Sequence, residues 1–350
     1  MRVRWPGWNV AKGLAASVIG GAVCTWLHTP LPWMIGPLAA MAILSFSGVR
    51  VGTPRGGRET GQLIIGTALG LYFTPPVARE VLTYGPVLVM AAVLASALAY
   101  AGGFFISRYS DTDRTTAFFA SVPGGATEMA VLGERYGGRI DRIVVAQSVR
   151  ILMVVIIVPF AMTMLGVHGS DAYEPVRVPV RIEGVAALFA TSAASSLVFW
   201  RLRIPNAFML GSLFAAIALT ASEIELSSVP TPLSNAGQLL IGCTLGSRFD
   251  STFMRSAHRY VAVVCASVVL ALIASALVGA GLAKLGGLVV PSMVLATAPG
   301  GIAEMCITAK VLQLGVPLVT AAHVTRVIVL VTTTGPLFRF ARRMAGRAQT

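Results

Sequence analysis

The sequence predicts an all-α polytopic membrane protein made of two repeats of inverted topology, and three observations lead there. Of its 350 residues 55% are hydrophobic and only 12% charged, where soluble domains carry roughly a quarter charged residues. Apolar stretches long enough, or nearly so, to cross a hydrocarbon layer of about 30 Å recur along the chain; hydrocarbon offers no partner to an open backbone, so each is read as a helix. Finally, one motif is written twice. Residues Ser121–Met129 read Ser-Val-Pro-Gly-Gly-Ala-Thr-Glu-Met, and Thr297–Met305 read Thr-Ala-Pro-Gly-Gly-Ile-Ala-Glu-Met.

The same offset of 176 residues carries Gly61, Gln62, Gly66 and Gly70 onto Gly237, Gln238, Gly242 and Gly246, and Ala146 and Arg150 onto Ala322 and Arg326. With an offset one residue shorter, Leu27, Pro30, Met34 and Gly36 return as Leu202, Pro205, Met209 and Gly211. Matches in separate blocks mark a duplication over nearly the whole chain, with repeats at 1–170 and 171–350.

The elements follow in order. Arg2, Arg4 and Lys12 precede the apolar run Leu14–Leu27, which resembles a cleaved signal; its counterpart Ile182–Trp200 is internal, so the run is kept as a transmembrane helix. After a Pro-containing turn at Thr29–Pro32, a second segment runs to about Ser47, followed by a basic loop with Arg50, Arg55 and Arg58. The short, glycine-rich Gly61–Phe73 comes next, then the long apolar Val81–Ile106. The Pro-Gly-Gly segment spans about Thr115–Leu132, and Ile143–Leu165 closes the repeat. The second half repeats the order: Ile182–Trp200, Ile204–Ala221, Asn235–Ser247, Tyr260–Ala283, Leu288–Lys310 and Val316–Phe338.

Whether all six elements of a repeat cross decides how the halves are related, because an odd number of crossings inverts the second. Letting the Pro-Gly-Gly element of each half enter and leave on one side places 20 Lys and Arg inside and 5 outside, with Arg79, Arg177, Arg181, Lys284 and Lys310 outside. All-crossing gives 15 to 10, and making Gly61–Phe73 and its copy the non-crossing elements gives 17 to 8. Because basic residues collect on the cytoplasmic side, the expectation is two inverted repeats, each of about five crossings plus one broken or re-entrant Pro-Gly-Gly element. Both termini are then cytoplasmic, in a bacterial inner membrane. The formal charge of +13 is read as this insertion signal and not as a nucleic-acid footprint.

Of the 14 acidic residues only Glu128 and Glu304 sit well inside apolar elements, and they are repeat mates. An ionisable group in a bilayer costs several kcal/mol unless paired or facing water, so it points to an ion or substrate path. Pro123, Gly124 and Gly125, and again Pro299, Gly300 and Gly301, favour a broken helix whose following half-helix presents free amides to an anion. Thr127 lies in the same turn. The other reading is that each glutamate only bonds the freed amides. Arg150 and Arg326 lie deep in the closing helices; they either snorkel or pair with the glutamates, or hold an anionic substrate. His323 stands where the first repeat has Gln147, and could give pH dependence. Gln62 and Gln238 belong to Gly-Gln-Leu-x-Ile-Gly-x-x-Leu-Gly motifs, whose glycines allow close helix packing and whose amides are candidate ligands.

With both motifs in view, the sequence resembles the Gram-negative AbrB-type duplicated membrane protein family, members of which are often labelled ammonia monooxygenase or AbrB family transcriptional regulator. Through that family it resembles, at a distance, the cation/proton antiporter and anion transporter superfamily. This resemblance implies inverted repeats with discontinuous helices crossing near the midplane and transport residues at the breaks, here Pro123–Glu128 and Pro299–Glu304. The paired aspartates of the sodium/proton antiporters are absent from this region, so their stoichiometry is not implied. A copper monooxygenase needs clustered histidines, whereas His28, His168, His258 and His323 are scattered. Cys24, Cys243, Cys265 and Cys306 stand singly, as small core residues and not as a metal site.

The resulting expectation is a secondary transporter or exporter of a small metabolite, with an anion the favoured class, bound at the broken helices. It needs no enzyme activity, cofactor, metal or nucleic acid; the bilayer is its surroundings, and a homodimer is compatible with it. The alternative is a membrane sensor that affects gene expression indirectly.

Overall fold

The computed structural model describes residues 7–169, 173, 178–248 and 258–347, without the side chains at 126, 127, 337 and 339–347. Arg177, Arg255 and the repeat boundary at 170/171 lie outside the described residues, as does the side chain of Thr127. All regular structure described is helical. The first half holds α1 (Gly7–Trp26), α2 (Pro32–Phe46), α3 (Gly57–Gly70), α4 (Pro75–Thr83), α5 (Gly85–Tyr109), α6 (Arg114–Ser121), α7 (Ala126–Arg135) and α8 (Ile140–Met164). The second holds α9 (Ile182–Arg201), α10 (Ala207–Ala221), α11 (Thr231–Gly246), α12 (His258–Gly286), α13 (Val290–Thr297), α14 (Ile302–Val311) and α15 (Val316–Arg347).

Five of these helices, α5, α8, α9, α12 and α15 over 316–336, are long and apolar enough to cross a membrane; the chain is a helical membrane protein. The other expected crossings are shorter or less apolar, α2 and α10 having 15 residues each, so helix length by itself does not supply about five crossings per repeat. The sequence reading missed α4. Its nine residues, Pro-Pro-Val-Ala-Arg-Glu-Val-Leu-Thr, bury one residue, Val77, and offer no apolar run.

Helices pack in matched pairs across the two halves. Packing of α1 on α2 returns as α9 on α10, α2 on α11 as α10 on α3, α5 on α6 as α12 on α13, α6 on α8 as α13 on α15, and α7 on α8 as α14 on α15. Two bundles result: α1–α3 with α9–α11, and α5–α8 with α12–α15. Even backbone irregularities match: His28 and Leu31 take positive φ before α2, and Arg203 and Asn206 do so before α10. Left-handed backbone is rare outside glycine, and it returns in the second half 175 residues on, at the spacing of the Leu27–Gly36 and Leu202–Gly211 match.

The Gly-Gln motifs form the crossing of the first bundle. A Cβ at Gly66 would overlap Ser212 Oγ and approach the Met209 carbonyl at 2.5 Å, and one at Gly242 would overlap the Met34 carbonyl. Each motif glycine thus seats its helix against the other repeat, α3 on α10 and α11 on α2, while Gly61 and Gly237 let α3 and α11 meet.

The Pro-Gly-Gly elements are hairpins. The Arg139 amide, beyond the end of α7, donates to Thr116 Oγ1 in the first turn of α6 at 2.8 Å, and Asp113 holds that threonine by accepting from its amide and its hydroxyl. In the second half the Gly315 amide, beyond α14, donates to Ser292 Oγ in the first turn of α13 at 3.2 Å. Thr116 and Ser292, and Arg139 and Gly315, are repeat mates. Each element therefore returns to the level at which it entered.

Candidate functional site

The site forms where the tips of the two hairpins meet in the second bundle and face the first. Proline opens each tip by removing a backbone donor. Gly125 then serves as N-cap of α7 and Gly301 as N-cap of α14, with φ of −59° and −80°, so left-handed backbone is not what the diglycines supply. They supply room. A Cβ at Gly301 would overlap Glu304 Oε2, one at Gly125 would lie 2.8 Å from Glu128 Oε2, and those at Gly124 and Gly300 would strike Met129 and Met305. Glutamate at the third helical position folds back over the N-cap glycine as in a capping box, but without the hydrogen bond to the cap amide among the described residues, and with glycine before the cap there is no hydrophobic staple. Here the side chains lie on bare glycine Cα atoms.

Neither Glu128 nor Glu304 forms an ion pair or a side-chain hydrogen bond among the described residues; Glu304 nonetheless lies within electrostatic range of Arg150, Arg326 and Arg248. Glu304 is 8% exposed, whereas Glu128 is exposed. Both sit in the first turn of a half-helix, where the positive end of the dipole favours their charge.

The arginines serve the opposite ends. Arg150 donates through Nη1 to the Ser121 carbonyl at 3.2 Å and through Nη2 to Gln147 Oε1 at 2.7 Å. Gln147 Nε2 in turn donates to the carbonyls of Phe119 and Val122 at 2.9 and 2.8 Å. Arg326 donates to the Ala298 carbonyl at 2.5 Å and to that of Gly300. Both guanidinium groups are buried, 8% and 3% exposed, and satisfy carbonyls that the breaks release at the ends of α6 and α13. Each break is thereby neutralised locally, with a carboxylate at its amino end and a guanidinium at its carboxyl end.

A cavity of about 710 Å³ opens between the bundles, over the tips. One wall carries Arg58 and Gln62 of α3, Arg203, Pro205 and Asn206 of the turn before α10, and Ile241 and Leu245 of α11. The other carries both hairpin tips, Arg150, and α15 from Arg326 to Gly335. Five arginines and two glutamates line it. Arg150 and Arg326 bond the break carbonyls, whereas Arg58, Arg135 and Arg203 have no ion pair among the described residues. Arg248, in the turn after α11, lies outside the lining; burial and the Arg58 charge lower its guanidinium to about 10, still cationic at neutral pH. A second, small crevice of about 40 Å³ lies behind the tips, between α5 and α12.

The family model described as "Transition state regulatory protein AbrB" matches residues 33–342. The chain belongs to the AbrB family. Relatives in that family include "Uncharacterized protein YhjN" of Bacillus subtilis (strain 168), 26% identical over 97% of this chain and 95% of its own. "Putative regulator AbrB" of Escherichia coli (strain K12) is 25% identical over 90% of this chain and 91% of its own.

Not every residue singled out from the AbrB-family sequence reaches the cavity. Gln62, Pro123, Gly124, Gly125, Glu128, Arg150, Gly300, Gly301, Glu304 and Arg326 line it, and Pro299 lines the crevice behind. Gln238, the mate of Gln62, is not in the lining. His323 is also outside the lining: its ring is fully buried and bonds the Leu295 carbonyl at 3.1 Å, as Gln147 bonds that of the equivalent Phe119. Sequence reasoning missed Arg58, Arg135, Arg203 and Asn206 as lining residues. In the sequence the arginines serve only as signals of orientation; nothing in their spacing says that the first turn of α3, the last turn of α7 and the turn before α10 face one cavity.

Proposed function

We propose that the protein is a secondary transporter or exporter of a small anionic metabolite, bound between the two bundles at the hairpin tips. The observation that carries this reading is the cavity itself: half-helix amino ends from both halves, two carboxylates without an ion pair among the described residues and a surplus of arginine face one volume. Half-helix amino ends and cations attract an anion, and a carboxylate beside them can balance the charge that moves with it. Glu304, the more buried of the two, is the proposed coupling group, with Glu128 secondary. The matched helix pairs and the paired hairpins support an arrangement as inverted repeats, because a hairpin that returns to its own side leaves an odd number of crossings. Both termini then share a side, proposed as the cytoplasm of an inner membrane. The weak packing between bundles, mainly of α3 on α14 and α15 and of α11 on α8, suits movement of one against the other.

A second reading is favoured by the name of the Escherichia coli relative, a putative regulator. On that reading the cavity senses an anion and alters gene expression indirectly, without carrying the anion across.

The test is thermal stability in detergent against organic acids, phosphates and inorganic cations at several pH values, followed by flux of any hit into proteoliposomes. A saturating ligand at a hundredfold excess over its dissociation constant stabilises by roughly 2.7 kcal/mol. An anion that stabilises the protein, fails to do so in Arg203→Ala and crosses the bilayer in a pH-dependent manner lost in Glu304→Gln supports transport. Stabilisation without flux supports the sensor, and no response to any anion rejects both.

A further inference from the structure

The two hairpins are built alike but packed differently. The cavity follows α7 from Glu128 to Arg135, at its outer end, but reaches only the first turn of α14, from Ile302 to Glu304. Beyond that turn α14 is closed off: Ile307 and Thr308, the repeat mates of Val131 and Leu132, are 2% and 0% exposed, whereas Val131 is 51% exposed. The packing between bundles differs at the same place. Packing of α15 on α3 returns as α8 on α11, but α14 on α3 has no comparable counterpart in α7 on α11 among the described residues. The cavity lies where that contact is missing, lined by α7 on one wall and by Ile241 and Leu245 of α11 on the other. Its charges are one-sided too. Arg58, Arg135 and Arg203 line it, and their mates in the other half are Ser234, Val311 and His28; only Arg150 and Arg326 are mates of each other. Lys310 on α14 corresponds to Glu134, which does not line the cavity.

We propose that this is one of two states related by exchange of the repeats. In the other, α7 docks on α11 as α14 now docks on α3, α14 parts from α3, and a second cavity opens towards the outer end of the second hairpin, lined by Gln238, Glu304, Ile307 and Thr308. Because the halves carry matching elements, a packing adopted by one is available to the other, and movement between the two gives access from each side in turn. This inference rests on the transport reading above and gives that transport a direction. The hairpin tips with Arg150 and Arg326 belong to both cavities, whereas the other three arginines serve the present one alone. An anion is therefore attracted and held on the side of Arg58, Arg135 and Arg203, and released on the side of Ser234, Val311 and His28. With the arginine side proposed as the cytoplasm, the protein is an exporter.

The experiment labels single cysteines in full-length protein with the four native cysteines replaced, in sealed proteoliposomes of one orientation. Two impermeant methanethiosulfonates are applied to each face, the anionic sulfonatoethyl and the cationic trimethylammonioethyl reagent, and each rate is divided by that with a free thiol. Val131→Cys should react from the face at which the first hairpin enters, and Thr308→Cys, buried in this state, from the opposite face. Val131→Trp and, separately, Val331→Trp overfill the space that docking of α7 on α11 must close; each should slow labelling of Thr308→Cys at least about tenfold and leave the exposed Gln313→Cys unchanged. The anionic reagent should be favoured at Val131→Cys and not at Thr308→Cys. If Thr308→Cys is never labelled, is labelled from the face of the first hairpin, or is indifferent to both tryptophans, the exchange is overturned, while an anionic preference at Val131→Cys keeps the anion-binding reading. Anionic preference at both cysteines would overturn the direction. Its absence at Val131→Cys would overturn the anion-binding reading itself.

Discussion

Glu128 and Glu304 hold equivalent places in their motifs, but differ in surroundings. Glu304 is nearly buried on α14, whose residues from Ile302 to Ala309 are all buried, while Glu128 stands on the exposed face of α7 with Val131, Glu134 and Arg135. Of the two, Glu304→Gln should therefore have the larger effect on pH-dependent flux, and a Glu128→Gln variant with the larger loss would reverse their proposed roles. Gly301→Ala tests the seat of that carboxylate. Its new Cβ meets the far end of a flexible side chain, so we expect a modest change in Tm but a displaced carboxylate and altered pH dependence. Gly66→Ala is the contrast. There the Cβ meets backbone and a buried serine, overpacking costs about 1–3 kcal/mol, and thermal unfolding in detergent should show it as a clear drop in Tm.

The hairpins depend on side chains from the closing helices. Arg326→Met would leave the Ala298 and Gly300 carbonyls without their donors, a loss of about 1–3 kcal/mol for each buried group left unpaired, read as a lower Tm even where no ligand is present. Arg150→Met should cost less, because Gln147 keeps the carbonyls of Phe119 and Val122. Equal losses from the two arginines would argue against this division of labour. Thr116→Ala and Ser292→Ala remove the acceptors that close the hairpins; each should weaken closure by about 1 kcal/mol and raise hydrogen exchange at the Arg139 or Gly315 amide respectively, leaving the other hairpin protected.

At the scale of the whole molecule the two hairpins are proposed to enter from opposite sides, which single-cysteine labelling can decide. Arg135→Cys reports the outer end of α7 and Gln313→Cys that of α14, in a background with the four native cysteines replaced. An impermeant thiol reagent applied to sealed vesicles of one orientation should reach one and not the other. Labelling of both from the same face would make the repeats parallel and remove the basis for alternating access between the bundles.

What the sequence determined by itself is what repetition and solvation can express locally. A membrane protein follows from composition, the expectation of a duplication from the offset, and the broken segments from Pro-Gly-Gly, because proline and glycine act on the backbone where they stand. The value of Glu128 and Glu304 as landmarks follows from the cost of a charge in an apolar run. Tertiary structure decided the rest, for reasons of distance. Only folding brings Thr116 to Arg139 and makes the hairpins close; only folding gives Arg150 and Arg326 to backbone carbonyls instead of to the glutamates, and withdraws His323 from the cavity. The same is true of Arg58, Arg135 and Arg203. In sequence they are scattered loop charges, and they become a single electrostatic field only because the two bundles set those loops around one volume.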